Sequence, residues 1–321
     1  MGALPLHRCR RIKKLTRRSP IIGGFMAFRT TWRWMFWSTS IFQAIMILVS
    51  FNVFKETYAP TILARRAARL RTDTGDARYY TEHERTMTGK SLIFILSQAL
   101  SRPLRLLVFH PIIQINAIMS AFEYGVLYIV LASFADLWTK QYNMSVEMSG
   151  LHYLAIAFGE IAGSQVGAPI LDAYYRRTKA RHPEGDPEPE HRIPLSLPGS
   201  LIGTLGLFFY GWVAYYRVHW IVVDVAIFIA CFGMQTRGIA FQAYVMDAYL
   251  GHTSSAMAAT QFLRSLTAFL FPLFTPIMYE EMGYGWGNSA IAFADLVLAI
   301  PATIALWYFG GALRRKMLST V

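Results

Sequence analysis

The stretch Ile193-Pro-Leu-Ser-Leu-Pro-Gly-Ser-Leu-Ile-Gly-Thr-Leu-Gly-Leu-Phe-Phe-Tyr-Gly-Trp-Val-Ala-Tyr-Tyr216 decides the class of the fold. It carries no charged side chain between Arg192 and Arg217, and it exceeds the roughly 20 apolar residues that a helix needs to cross a bilayer. Lipid offers backbone amides no water to bond, so such a segment is expected to be helical. Working outward, Trp34 to Phe54 is uncharged between Arg33 and Lys55, and Gly283 to Ala312 is interrupted only by Asp295. Leu106 to Ala135, Met148 to Leu171, Trp220 to Met246 and Ser254 to Met278 are apolar runs that each hold one or two ionisable residues. The pattern predicts an all-α polytopic membrane bundle of about seven transmembrane helices.

Composition agrees. Of 321 residues, 54% are hydrophobic and 16% charged, against about 25% charged in soluble domains. The formal charge of +12 is placed by the positive-inside rule in cytoplasmic loops, so no nucleic-acid partner is needed to explain it. Cys9 and Cys231 form neither a disulfide framework nor a metal-ligand spacing. No His box, serine elbow or paired-Asp motif appears, so neither an enzyme, a metal nor a cofactor is expected. The expected partners are the lipid bilayer, a small-molecule substrate and protons.

Loop charges orient the crossings. Between the first two runs lie ten basic residues from Lys55 to Arg105, which argue for a cytoplasmic loop. Within it, Thr61 to Arg71 segregates apolar side chains from arginines, the signature of an interfacial helix or, alternatively, of a solvated amphipathic linker. Ser91 to Leu100 is too short to cross and is expected to lie along the membrane until Pro103 turns the chain. The next loop, Asp136 to Glu147, holds only Lys140 and carries the sequon Asn143-Met144-Ser145, a candidate N-glycosylation site outside. The basic end Arg314-Arg315-Lys316 should be cytoplasmic. Seven crossings then force residues 1–33 outside, although they carry nine of the basic residues; that conflict marks an abnormal start or a missing upstream helix. The organisation expected is a basic segment 1–33, a first transmembrane helix 34–54, a cytoplasmic central loop 55–105, a six-helix bundle 106–313 and a cytoplasmic tail 314–321.

Several motifs carry a resemblance. Trp32-Arg33-Trp34-Met35-Phe36-Trp37, Lys55-Glu56-Thr57-Tyr58-Ala59-Pro60 and Ser101-Arg102-Pro103 are followed by Tyr124-Gly125-Val126-Leu127-Tyr128, Gly206 to Trp212, Tyr244 to Tyr249, Phe271 to Phe274 and Gly283 to Gly287. In that order they resemble the sixth to twelfth helices of major facilitator superfamily transporters, fungal drug:proton antiporter type. The resemblance implies half of a twelve-helix fold plus one helix. Substrate would bind near the midplane, with alternating access by rocking of one half on the other. Ser19-Pro20-Ile21-Ile22-Gly23-Gly24 resembles the end of the family's fifth-helix antiporter motif, and upstream of Ser19 the resemblance stops. The missing half, or a second copy of the chain, is then a further partner.

An ionisable residue in a transmembrane helix costs about 2.5 to 3.5 kcal/mol on insertion scales and so normally faces the bundle interior or water. Glu123, beside Tyr124, is either a proton or substrate site or a buried hydrogen-bonded acid. Glu160 lies between Gly159 and Gly163 and is either part of the same pathway or a clasp between close helices. Arg237 either holds an anionic group or forms an internal ion pair. Asp172, followed by Arg176 and Arg177, resembles the family's second-half acidic-basic loop signature, and Asp247 resembles a family gate position, which with Arg264 implies a cytoplasmic gate. The other readings are a solvated Asp beside the membrane for Asp172, a helix-terminal Asp for Asp247, and snorkelling or gate packing for Arg264. His110, before Pro111, is expected to satisfy a helix start rather than to shuttle protons.

The function expected from this reading is proton-coupled efflux of a small organic molecule such as a drug, toxin or secondary metabolite. The alternatives are a truncated, non-transporting remnant of such a transporter and a seven-helix receptor. The plasma membrane is the expected location, with the vacuole or another endomembrane as the alternative.

Overall fold

The computed structural model of the chain describes residues 31–76, 78–87, 91–181, 188–249 and 252–318, which form helices and connecting turns with no strand among them. Expectations for Ser19 to Gly24, for Cys9 and for most of the basic segment 1–33 lie outside the described residues. The chain divides into two compact units, with the boundary between Ser101 and Arg102.

The first unit opens with α1 (Trp32–Val53), whose large apolar side chains are exposed, Phe51 to 84%. α2 (Ala59–Thr74) contains the amphipathic run Thr61 to Arg71; it has Pro60 in its first turn and ends on Gly75, left-handed at φ 68. α3 (Glu82–Met87) starts with a capping box. The Thr81 hydroxyl accepts from the Glu84 amide at 3.2 Å while the Glu84 carboxylate accepts from the Thr81 amide at 3.2 Å. That amide, helped by Arg71 at 3.1 Å, holds the Glu84 carboxyl below the ordinary range.

α4 (Leu92–Phe109) corrects one expectation. Pro103 lies inside it, and the chain turns instead at His110, extended at φ −107 and ψ 103. Pro111 explains the placement, because proline disfavours helical geometry in the residue before it and suits the first position of the next helix.

The second unit holds α5 (Pro111–Asp136), α6 (Val146–Arg181), α7 (Ser196–Tyr215), α8 (Trp220–Ala248) and α9 (Thr253–Leu318). A π-helical turn, Leu137–Gln141, follows α5, and a 3₁₀ turn, Pro189–Leu195, precedes α7. The 66 residues of α9 would run about 100 Å if straight, some three bilayer cores. The chain reverses at Gly283, whose φ 68 and ψ 173 favour a residue without a side chain. Two arms, 253–282 and 284–318, result. Among the described residues six helices are long and apolar enough to cross a membrane, and with the two arms of α9 counted separately the candidate crossings there number seven.

Contacts fix the directions. Asn116 meets Thr260 and Ala121 meets Thr267, so α5 and the first arm of α9 run parallel. Ser196 meets Thr303 and Thr204 meets Asp295, so α7 and the second arm run antiparallel. Gly159 abuts Phe228 and Gly167 abuts Thr236, which makes α6 and α8 parallel; Gly199 abuts Arg237 and Gly206 abuts Ala230, which makes α7 and α8 antiparallel. These directions alternate as successive crossings must.

Two apolar cores fill the bundle. One gathers Val126, Ile129, Phe134 and Trp138 of α5 and the turn after it with Tyr210, Ile227 and Ala230. The other gathers Ile112, Ile113 and Met119 with Phe241, Tyr244, Val245 and Leu306. Along α5 and α8, Glu123 and Arg237 fall between the two.

Close approach of α7 to α8 depends on glycine. A Cβ on Gly233 would run into the Gly203 backbone, whereas one on Gly167 meets the Thr236 methyl at 3.2 Å. Overpacking of this kind costs about 1–3 kcal/mol. Gly233→Ala is therefore expected to lower the melting temperature of the detergent-purified chain clearly more than Gly167→Ala; equal effects in a thermal unfolding assay would contradict the packing described.

Candidate functional site

Between the two cores α8 supplies Arg237, fully buried, with Nη1 donating to both carboxylate oxygens of Asp295 at 2.8 and 2.9 Å. Asp295, on the second arm of α9, is also fully buried and accepts from the Thr204 hydroxyl of α7 at 2.7 Å. Glu123 of α5 comes third, its Oε2 3.4 Å from Arg237 Nε. Charges are stable in such surroundings only when paired and hydrogen-bonded. Of the reading left open for Arg237, the structure supports the internal ion pair.

The two carboxylates are not equivalent. Asp295 has two short contacts to the cation and a hydroxyl donor and no exposure, while the Glu123 side chain has one longer contact and is 19% exposed. Protonating Glu123 leaves Arg237 neutralised by Asp295. Protonating Asp295 would break the tighter pair in the drier place.

Glu123 opens onto two adjoining hollows. One, of about 290 Å³, is walled by Asn116, Ser120, Gln242, Thr260 and Gln261. The other, of about 320 Å³, is walled by Leu127, Tyr128, Leu131, Glu160 and Cys231. Glu123, Tyr124, Gln235 and Arg264 line both. The Arg264 guanidinium lies 3.8 Å from the centre of the Tyr124 ring, a cation–π contact. Arg264, grouped by sequence with the gate, thus stands beside Glu123 and Tyr124, and Glu160 shares the second hollow with them.

A second charged group closes one end of the bundle. Arg192, in the 3₁₀ turn, donates from Nε to Asp247 at 2.6 Å, approaches Asp172 at 3.5 Å and lies over the Tyr175 ring at 4.3 Å. Asp172 and Asp247 therefore come together, but the cation between them is Arg192. Arg176 and Arg177, expected in that place, are exposed, and Arg176 bonds the carbonyl of Asp172 on its own helix at 3.3 Å. Close by in sequence, Arg314 holds Glu190 at 3.2 Å and Glu188 at 3.7 Å.

His110 also departs from expectation. Its side chain caps nothing; Nδ1 pairs with the Tyr249 hydroxyl at 3.1 Å. Burial, then the nearby His252, keeps the imidazole below its ordinary pKa, and burial pushes the Tyr249 hydroxyl up to about 12. Beyond α5, Asn143 is exposed with φ 53, so its sequon is accessible.

Sequence reasoning missed several of these residues. Asp295 was one ionisable residue in an apolar run, with nothing to name its partner. Arg192 looked like the end of a solvated loop. Asn116 is uncharged and drew no attention, and His152, which pairs with Asp224 at 2.8 Å and stacks on Trp138 at 3.6 Å, was never singled out.

Comparison with known proteins adds the ancestry. The model of the Major Facilitator Superfamily matches residues 19–272. The "Probable efflux pump mfs2" of Aspergillus flavus is 49% identical over 301 residues, 94% of this chain and 71% of the relative. The "Efflux pump vrtL" of Penicillium aethiopicum is 39% identical over 91% of this chain and 57% of the relative. An uncharacterized transporter of Schizosaccharomyces pombe is 36% identical over 92% of this chain and 60% of the relative. The chain thus spans a little over half to about seven-tenths of these relatives. No solved structure matches.

The inequality of the carboxylates gives a test. Removing one partner of a buried ion pair costs about 3–5 kcal/mol. Asp295→Asn is expected to yield a chain that aggregates on size-exclusion chromatography in detergent, while Glu123→Gln elutes and melts much as the parent does. The reverse ranking would mean that Glu123 is the structural counterion.

Proposed function

The chain belongs to the Major Facilitator Superfamily, and from that premise we propose that it is the membrane transporter its sequence suggests, moving a small organic molecule out of the cytoplasm in exchange for protons. It is an integral membrane protein by family and by its apolar helices. Efflux is the activity named for two of its relatives, and the transported molecule would sit at the level of the two hollows, where the family binds substrates.

One observation carries the coupling: among Arg237, Asp295 and Glu123, Glu123 is the one that opens onto the hollows. An ionised Glu123 accepts a donor group of the substrate. A protonated one does not, so proton and substrate compete for the same oxygen atoms and each leaves when the other arrives. Arg237 lies 3.4 Å from the Glu123 carboxylate, and Asp295 keeps Arg237 neutralised through the exchange. Tyr124, Glu160 and Arg264 line the path.

At the other charged group, Arg192 with Asp172 and Asp247 forms the cytoplasmic gate, locking α6, the 3₁₀ turn and α8 together when access is outward. Arg176 and Arg177 lie at the headgroup level of the same face. The orientation puts Arg314, Arg315 and Lys316 in the cytoplasm and Asn143 outside, in the plasma membrane or alternatively the vacuolar one.

The test uses liposomes containing the purified chain and the fluorescent compounds umbelliferone, fluorescein and rhodamine. A proton gradient should drive accumulation of at least one of them against its concentration gradient. Glu123→Gln should abolish the dependence on the gradient while downhill exchange persists. Flux insensitive to the gradient would remove proton coupling, and no flux of any of the three would remove the transporter reading.

A further inference from the structure

We propose that α2 docks on the membrane surface next to the end of α1 and binds the phosphates of anionic phospholipids through Arg65, Arg66 and Arg69. The inference concerns the first unit alone and is independent of the transport reading.

Covalent connection brings α2 to the surface before any of its side chains act. α1 ends at Val53 and α2 begins at Ala59, and the five residues between them span at most about 18 Å when extended. A helix tethered so closely to a bilayer-crossing segment meets the headgroups at high effective concentration. Individually weak contacts are then enough.

α3 leaves one side of α2 free. Arg71 donates to Glu84 of α3 at 3.1 Å, and Ala67, one turn earlier on the same side, is buried. At about 100° per residue, the surface beyond Ala67 presents in order Leu63, Leu70, Arg66, Ile62, Arg69 and Arg65. The aliphatic side chains among them are open, with Ile62 43%, Leu63 52% and Leu70 37% exposed. The three arginines are exposed as well, and among the described residues none of them has an ion pair, in contrast to Arg71. Tyr58 before α2 and Tyr79 and Tyr80 after it are exposed phenols of the kind that settle at headgroup level.

Magnitudes select the lipid. Three aliphatic side chains interrupted by Arg66 make a shallow apolar face, so insertion into an uncharged surface is weak. Each arginine close to an anionic surface strengthens binding about fivefold, so the three together supply about a hundredfold. Guanidinium groups also match phosphate oxygens with paired hydrogen bonds. α2 holds four arginines against one carboxylate, Asp73, so the surface complementary to it is negatively charged. The short tether keeps lipid phosphates, rather than an acidic protein, within constant reach.

The experiment places a polarity-sensitive dye on the full chain in lipid nanodiscs, at Leu70→Cys, after Cys9→Ser and Cys231→Ala remove the native thiols. In discs with about one-third phosphatidylserine the dye should be quenched by a nitroxide-bearing lipid, and in phosphatidylcholine discs it should not. A dye at Ala68→Cys, on the opposite face of the helix, should remain in water in both. Raising the salt should release the Leu70 dye, and Arg65→Gln, Arg66→Gln and Arg69→Gln together should lower the docked-to-free ratio about a hundredfold. Glutamine keeps helix propensity at these exposed positions. The unaltered chain gives a second readout: tryptic cleavage after Arg65, Arg66 and Arg69 should slow several-fold in the anionic discs, while cleavage after Arg85 of α3 does not. Quenching that is absent from both discs, or equal in both, overturns the proposal. So does a Leu70 dye shielded from lipid and water quenchers alike, which would mean that protein covers this face.

Discussion

A guanidinium with no exposure at the centre of a lipid-embedded bundle is held in place by its counterion, and Arg237 with Asp295 constrains the rest of the second unit accordingly. The cation comes from α8 and the carboxylate from the second arm of α9, with Thr204 of α7 donating to the same carboxylate. Three helices are thereby registered against one another at one level. Lipid tails provide no hydrophobic push between helices, so such polar links and close backbone contacts must supply what a water-excluded core supplies in a soluble fold. Glycines provide the latter: α6 and α7 present Gly159, Gly163, Gly199 and Gly206 to α8, where each leaves no room for a side chain.

Placing the charges between two apolar cores has a consequence for the neighbours. The cores on either side are tightly filled around Tyr210 and Tyr244, so the layer of Glu123 is where polar side chains and open volume coexist. Fold and site are the same feature here. The pair that registers the helices also leaves its third member, Glu123, facing the hollows.

Much of the architecture could be read from the sequence because the bilayer limits the choices. Uncharged runs such as Ile193 to Tyr216 need to be helices, and Gly283 between two long apolar runs is where a reversal had to come. Pairings across the bundle were not legible. Nothing in the sequence joins Arg237 to Asp295 rather than to Asp224, since the choice depends on which helices run parallel and at what register. Arg192 was passed over because local spacing favoured Arg176 and Arg177, whereas the 3₁₀ turn brings a residue from the far end of the loop back to Asp172. Pro103 misled for the opposite reason: a helix tolerates one proline, and the stronger break was set by Pro111 acting on His110.

Under the proposed function, the two charged groups have to communicate, and α8 offers the means. Arg237 and Asp247 stand on the same continuous helix, about 15 Å apart along its axis. At one end Asp247 grips Arg192; at the other, Arg237 grips Asp295 and touches Glu123. α6 runs parallel to α8 against its glycines and brings Asp172 to the same lock. A shift of α8 that follows a change of charge on Glu123 is therefore delivered to the Arg192 lock by a rigid helix, without a chain of intervening side chains. Coupling of this kind requires a two-state element biased from both ends, and α8, tied at each to a partner of opposite charge, Arg192 for its Asp247 and Asp295 for its Arg237, has the contacts for that role.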